Sequence, residues 1–279
     1  MIMQFATVND VTLHYQEIGG PTGTPTLVFI NSLGSDFRIW RDVIVRFVGE
    51  VSIMTYDKRG HGLSNIGDTP YTIEDHAEDL IALLDHLGKK DVVLVGLSVG
   101  GLIAQAVYKM RPDLVEALVL CDTAAKIGTA EMWQERIDSI EEKGMVELAE
   151  ATMLRWFTSV YRQKNRDDVA GYRNMLARQP QDGYLGTCMA IRDADYTADA
   201  KVITAPTMCI VGLNDVVTTP EHVYELSMHI DGSRYEEISG AGHLPCIEKP
   251  QDFSILLKDF LKELKEETSD SAPDGVSVH

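Results

Sequence analysis

A chain of 279 residues with 44% hydrophobic and 24% charged content can bury one large core, or a core domain carrying an insertion. Its formal net charge of −18 argues against nucleic acid and anionic membrane surfaces as partners, while local arginines can still recruit a small anion at short range. Cys121, Cys188, Cys209 and Cys246 are scattered without metal-ligand spacing and read as reduced core thiols of a cytoplasmic protein; there is no signal-peptide pattern and no apolar run of membrane-spanning length.

In chain order, residues 3–8 and 11–18 alternate in character around turn-prone Asn9-Asp10, which predicts an opening hairpin. A Gly/Pro loop over 19–24 precedes a buried strand at 26–30, and Asn31-Ser32-Leu33-Gly34 leaves that strand's end. A helix is expected from Asp36 to about Val48, with Trp40, Ile44 and Phe47 on one face. The next strand, 51–56, runs into Asp57-Lys58-Arg59-Gly60-His61-Gly62-Leu63-Ser64, and Thr72 caps a helix whose apolar stripe includes Ile73, Ala77, Leu80, Ile81, Leu84 and Leu87.

The stretch 91–108, DVVLVGLSVGGLIAQAVY, joins a β-branched strand to a helix through Gly96-Leu97-Ser98-Val99-Gly100. Strand, sharp turn and helix with serine at the apex is the context of a Gly-x-Ser-x-Gly nucleophile elbow. The glycines remove side chains that would collide where strand and helix close up, and the helix start aims free N–H groups at the serine. A strand at 114–121 ending in Asp122 follows. From about Lys126 to Asp199 strand-like runs vanish and about four helices are expected, among them 131–143, 146–157 and 169–178. Such a block reads as a cap inserted over the sheet's catalytic edge. Alternation resumes with a strand at 207–211, a helix at 220–230, a strand at 233–238 and an amphipathic helix from Pro250 to about Lys265, with 266–279 read as a disordered tail. The fold class is therefore α/β: an open, mostly parallel sheet with helices on both faces. The core is assigned to 1–125 and 200–265 and the cap to 126–199. Ligands of such sheets bind beyond the carboxyl ends of the strands, where the loops carrying Asn31, Asp57, Ser98, Asp122, Asp215 and His243 should all open.

A serine hydroxyl needs a base within hydrogen-bond reach. His243, in a Gly-rich loop between the last strand and the last helix, is the choice among eight histidines. His61, which also follows a strand, is the rival, with loop structure its commoner role. The base needs an acid to fix its tautomer. Asp215, in a loop before a proline-started helix, is preferred over Asp122, and the order Ser98, Asp215, His243 is that expected of this fold. Val99 N–H and Leu33 N–H are the expected oxyanion donors.

With these motifs assembled, the chain resembles the α/β-hydrolase superfamily over 3–265, and within it the 3-oxoadipate enol-lactonases. The closer likeness rests on Asn31-Ser32-Leu33-Gly34 with Asp36, Arg38 and Trp40, on the stretch from Asp122 to Thr129, on Arg155-Trp156-Phe157-Thr158, and on Cys188-Met189-Ala190-Ile191-Arg192-Asp193-Ala194-Asp195. The resemblance implies hydrolysis of a small anionic enol-lactone through an acyl-enzyme on Ser98, without metal or organic cofactor. It also implies a cation for the substrate carboxylate. Arg136, Arg155 and Arg192 are the candidates, with Trp133 and Trp156 as apolar walls. A general carboxylesterase, or a hydrolase of carbon–carbon bonds in ring-fission products, would use the same triad. A non-catalytic ligand sensor on this fold is the alternative from a different class. Dehalogenation is disfavoured, because it wants a carboxylate where Ser98 stands. The sequence is silent on oligomeric state.

Overall fold

The computed structural model describes residues 4–270. An antiparallel hairpin, β1 (Gln4–Val8) and β2 (Val11–Ile18), opens the chain, and β2 pairs antiparallel with β4 (Ser52–Tyr56). The remaining pairs are parallel: β3 (Thr26–Ile30) with β4 and β5 (Val92–Leu97), then β6 (Val115–Cys121), β7 (Thr207–Gly212) and β8 (Arg234–Ile238). The eight-stranded order is β1-β2-β4-β3-β5-β6-β7-β8. Every residue of β5 is buried, which explains why its sequence is a continuous apolar run and not an alternating one.

The strand order reverses direction between β3 and β5. Successive connections run outward one way from β3 to β4 and the other way from β5 to β8. The crevice outside the carboxyl ends at such a switch point is where open α/β sheets place ligands. Here that crevice is formed by the Asn31–Gly34 loop and the turn at Ser98.

Helices α1 (Arg41–Ile44), α2 (Ile73–His86) and α3 (Val99–Met110) lie between the strands up to β6. Thr72 and Asp75 form a reciprocal capping box on α2, as the threonine led us to expect. The helix expected over 36–48 is shorter. A 3-10 turn over Phe37–Trp40 leads into α1, and Arg46 and Phe47 then bond back three residues to Val43 and Ile44. Trp40, Ile44 and Phe47 are nevertheless buried. Over two turns a burial period of three to four does not distinguish an α-helix from a 3-10 helix.

Between β6 and β7 run α4 (Ala130–Trp156), α5 (Ser159–Lys164), α6 (Arg166–Ala177), α7 (Gln181–Asp193) and α8 (Thr197–Ala200). Gly144, with φ 77° and ψ 175°, breaks α4 in two, at the gap between the two helices expected there. In α7 a Cβ on Gly183 would meet the Gly60 backbone at 2.4 Å, and the amide of Gly62 donates to Gln179 Oε1 at 3.0 Å. Close docking on the β4 loop therefore justifies a glycine inside a helix, where propensity alone disfavours it.

After β7 come α9 (Pro220–His229), α10 (Pro245–Glu248) and α11 (Pro250–Asp270). The last helix continues beyond Lys265, into the stretch read as a disordered tail. The rest of that stretch, 271–279, lies outside the described residues, as does Met3. Among the described residues no helix is long and apolar enough to cross a membrane, and all four cysteines are buried and unpaired.

Candidate active site

Ser98 caps α3 in a left-handed conformation, φ 59° and ψ −119°, that β-carbon residues rarely adopt. The turn is held from both sides. Ser98 N–H donates to Cys121 O (2.9 Å), while Ser98 O accepts Thr123 Oγ1 (2.7 Å) and Gly101 N–H (2.8 Å). A Cβ on Gly96 would meet Gly100 O at 2.3 Å, and one on Gly100 would meet Ile30 O at 2.3 Å. Both glycines are thus required by the approach of helix to strand, for the reason inferred from the sequence. Val99 is the first residue of α3, so its N–H has no partner within the helix.

His243 is buried in the loop between β8 and α10, its amide donating to Trp156 O at the end of α4 (3.0 Å). Its Nδ1 lies 2.8 Å from Asp215 Oδ2, which leaves Nε2 as the basic nitrogen. Asp215 also accepts from Val217 N–H (2.7 Å), Thr218 N–H (3.3 Å) and the Thr218 hydroxyl (2.8 Å). Burial acts to raise the Asp215 pKa. The His243 ring and these hydrogen bonds outweigh it and hold the carboxyl below its ordinary range.

Asp122 lies beside this pair. Single ligating atoms of Asp122, Asp215 and His243 fall within 4.8 Å of one another. Asp122 accepts from Gly212 N–H (2.9 Å) and from the Cys121 thiol (3.0 Å), whereas His243 Nδ1 is bonded to Asp215. Burial first, and then the Asp215 charge, push the Asp122 pKa well up, opposite in direction to the shift at Asp215.

Ser98, His243, Ser32 and Leu33 line one small cavity with Trp133, Arg136, Arg155 and Trp156. Arg136 donates to the Tyr184 hydroxyl and lies over the Trp133 and Tyr184 rings, at 5.4 and 5.7 Å from their centroids. Its Nε is buried without a hydrogen-bond partner. Arg155 donates to Thr152 Oγ1 at 3.2 Å, and burial together with the Arg136 charge lowers its pKa. Neither arginine makes an ion pair among the described residues. Arg192 is elsewhere. Its guanidinium is held by Asp193 (2.7 Å) and Gln134 (2.7 Å), and it does not line the cavity. The adjacent aspartate in the sequence was the signal that this arginine is already neutralised.

Sequence reasoning passed over Tyr184, Thr152 and Thr218, which hold the arginines and the aspartate. One signal did exist: Arg136 interrupts the buried stripe Trp133, Ile137, Ile140, where a charge needs a reason. Two decoys are also resolved. His61 is buried, with Nε2 accepting Gly34 N–H (3.0 Å) and burial holding its pKa well down; it supports a loop. His14 and Asp57 form a pair at 2.8 Å beside a cleft of about 960 Å³, far larger than the Ser98 cavity. However, the His14 ring is packed against Phe5 and Phe37, and its Nε2 is buried without a partner. A large cleft with a His–Asp pair but no reachable basic nitrogen is not a hydrolytic centre.

The chain belongs to the α/β-hydrolase fold family, whose pattern matches residues 25–250, and it is a hydrolase of that class. Within the class it is similar to 3-oxoadipate enol-lactonase 2 of Acinetobacter baylyi, 34% identical over 92% of this chain and 95% of that protein. It also resembles the crystal structure of the enol-lactonase from Burkholderia xenovorans, with a TM-score of 0.89 and 36% identity, covering 93% of this chain and all (100%) of that one. A thermophilic esterase from Thermogutta terrifontis shares the architecture at a TM-score of 0.86 and 26% identity, over 95% and 99% of the two chains.

Proposed function

We propose that this hydrolase opens 3-oxoadipate enol-lactone to 3-oxoadipate through an acyl-enzyme on Ser98. The observation that carries the reading is the pair Arg136 and Arg155, two guanidiniums without acidic partners among the described residues, on the wall of the cavity that holds Ser98 and His243. Unpaired cations side by side are costly unless an anion joins them, and a lactone bearing a free carboxylate supplies one. The similarity to enol-lactonases points the same way.

In this reading His243 Nε2 takes the Ser98 proton as Oγ attacks the lactone carbonyl, and Leu33 and Val99 N–H groups stabilise the tetrahedral oxyanion. Collapse breaks the bond to the ring oxygen, and the departing enolate takes the proton from His243 and ketonises. Water deprotonated by His243 then attacks the acyl carbonyl, and Ser98 leaves with its proton restored. Asp215 holds the imidazole. Residues 126–199 act as the cap over a core formed by 1–125 and 200–265. The cavity of about 30 Å³ is smaller than a lactone ring, so this reading requires lining side chains to move for substrate to enter. Four buried, unpaired cysteines suit a cytoplasmic location.

The test is to follow loss of the enol-lactone and identify 3-oxoadipate by mass spectrometry, with p-nitrophenyl esters and vinylogous diketo acids as competitors. A kcat/KM for the lactone about 100-fold or more above the neutral ester is expected, the size of a paired carboxylate contact. Equal rates would mark a general esterase, and preference for the diketo acid a carbon–carbon hydrolase. No turnover, together with no labelling of Ser98 by a serine-directed phosphonate, would mark a ligand sensor. The two acids are separated by substitution. Asp215→Asn is expected to lower kcat by about 10⁴, because the tautomer is lost, whereas Asp122→Asn costs less than about tenfold.

A further inference from the structure

The β4 loop places a lysine against the loop that carries the expected oxyanion donor. Lys58 is 1% exposed. Its ammonium donates to Ser32 O at 2.7 Å and to Asn31 O at 3.3 Å, and it makes no ion pair among the described residues. Burying a charge on carbonyl dipoles alone is unfavourable, and a hydrophobic residue would serve packing better. The charge has nearby support from Asp57 and Asp36, but burial prevails and brings the lysine pKa down to about 7. His61 and His76, the other titratable neighbours that feel its charge, are kept neutral by burial.

The carbonyl that Lys58 grips belongs to the Ser32–Leu33 peptide, the unit whose N–H is that of Leu33. This peptide is trans, so its C=O and N–H point in opposite directions across one rigid plane. Anchoring the oxygen on the buried side therefore turns the Leu33 N–H the other way, and Leu33 lines the cavity with Ser98. Ser35 adds a second and a third anchor to the same oxygen, through Oγ (2.9 Å) and N–H (3.3 Å). His61 fixes the following residue by accepting Gly34 N–H. In its protonated form the lysine also draws electron density from the amide through the carbonyl oxygen, which makes the N–H a stronger donor.

We infer that Lys58 is a positioning residue of the oxyanion hole, orienting and polarising the Ser32–Leu33 amide from behind. The inference rests on the reading of Ser98 as nucleophile and deepens it, by naming what aims one of the two donors at the developing charge. Lys58 itself touches neither substrate nor reacting atoms.

The test uses the full chain with p-nitrophenyl acetate as substrate, an aryl boronic acid as the tetrahedral probe, and glutarate as a probe of the arginine pair. Lys58→Met keeps the length of the stem and removes the donor. Its kcat is expected to fall about 10–100-fold with KM within about twofold, part of the loss seen when an oxyanion donor is deleted outright. Boronate affinity should weaken in parallel, while glutarate inhibition is unchanged. Wild-type kcat and boronate affinity in the variant would overturn the inference, as would an equal loss for glutarate and boronate, which marks general damage to the site. Should the methionine variant not fold, Lys58→Gln, with a neutral donor, decides by the same measurements: a smaller parallel loss supports the role, and wild-type values refute it. A wild-type protein inert to both ester and boronate would sink the reading of Ser98 and this role together, whereas an active wild type with an equally active variant sinks the role alone.

Discussion

Replacing Ser98 by alanine is expected to lower kcat/KM for the lactone by about 10⁵–10⁶ while shifting the melting temperature by less than about 2 °C. Activity should vanish because the hydroxyl is the only atom removed and no neighbouring group supplies an equivalent nucleophile on that turn. Stability should persist for three structural reasons. The turn is held by backbone groups: Ser98 N–H on Cys121 O, and Ser98 O under Thr123 Oγ1 and Gly101 N–H. The serine hydroxyl makes no capping bond to α3, so its loss leaves no helix end newly unsatisfied. Alanine also carries the same Cβ, so the cost of φ 59° is the same in both proteins. Steady-state kinetics with thermal unfolding checks both halves, and substantial turnover by the alanine variant would contradict the mechanism.

The second large effect concerns substrate choice. Arg136→Met and Arg155→Met are each expected to raise KM for the carboxylate-bearing lactone by about 10–100-fold, the loss of one charge-assisted contact. Hydrolysis of p-nitrophenyl acetate, which has no carboxylate, should change by less than about threefold. Methionine preserves much of the volume beside Trp133 and Tyr184, so packing is a minor contributor. The free protein gives an opposite and independent readout. Burial and the Arg136 charge already lower the Arg155 pKa, so removing Arg155 should leave the unliganded protein as stable as before, or more stable, whereas Arg136→Met also removes the hydrogen bond to Tyr184 and is not expected to stabilise. Loss of affinity joined to unchanged or higher stability is the signature of residues kept for a ligand. Equal losses on charged and neutral substrates would assign the arginines to structure instead.

Much of this molecule was legible in one dimension because its rules are local. The turn at Ser98 declares itself through Gly96 and Gly100, whose missing side chains are explained by atoms of the adjoining strand and helix 2.3 Å from where a Cβ would stand. The all-apolar run of β5 declares a strand buried on both faces. Thr72 declares its helix. The length of the helix after Asp36 was less legible, because Trp40, Ile44 and Phe47 satisfy a 3-10 turn and an α-helix equally well. The helix α7 was given no bounds from the sequence, and its Gly183 makes a close backbone contact with Gly60, distant in the chain.

The three arginines illustrate the same boundary within the site. Arg136, Arg155 and Arg192 all lie in the helical segment between β6 and β7, and composition does not rank them. Docking of that segment turns two toward Ser98, while Arg192 is bound by Asp193 and Gln134. Likewise both Asp122 and Asp215 follow strands, and the hydrogen bond from His243 goes to the second.

The sequence alone therefore determined the strand–turn–helix chemistry at Ser98, the alternation that makes an open α/β sheet, and the loops that reach its carboxyl edge. Steric and hydrogen-bonding rules at short range leave few other solutions for those residues. Only the tertiary structure decided which cations face the cavity, which carboxyl holds the imidazole, and that Lys58 grips the far side of the Leu33 amide. Those outcomes depend on where elements distant in the chain come to rest; residue order biased some of the choices, through Asp193 beside Arg192 and the chain order of Asp215 and His243, and packing made the selection.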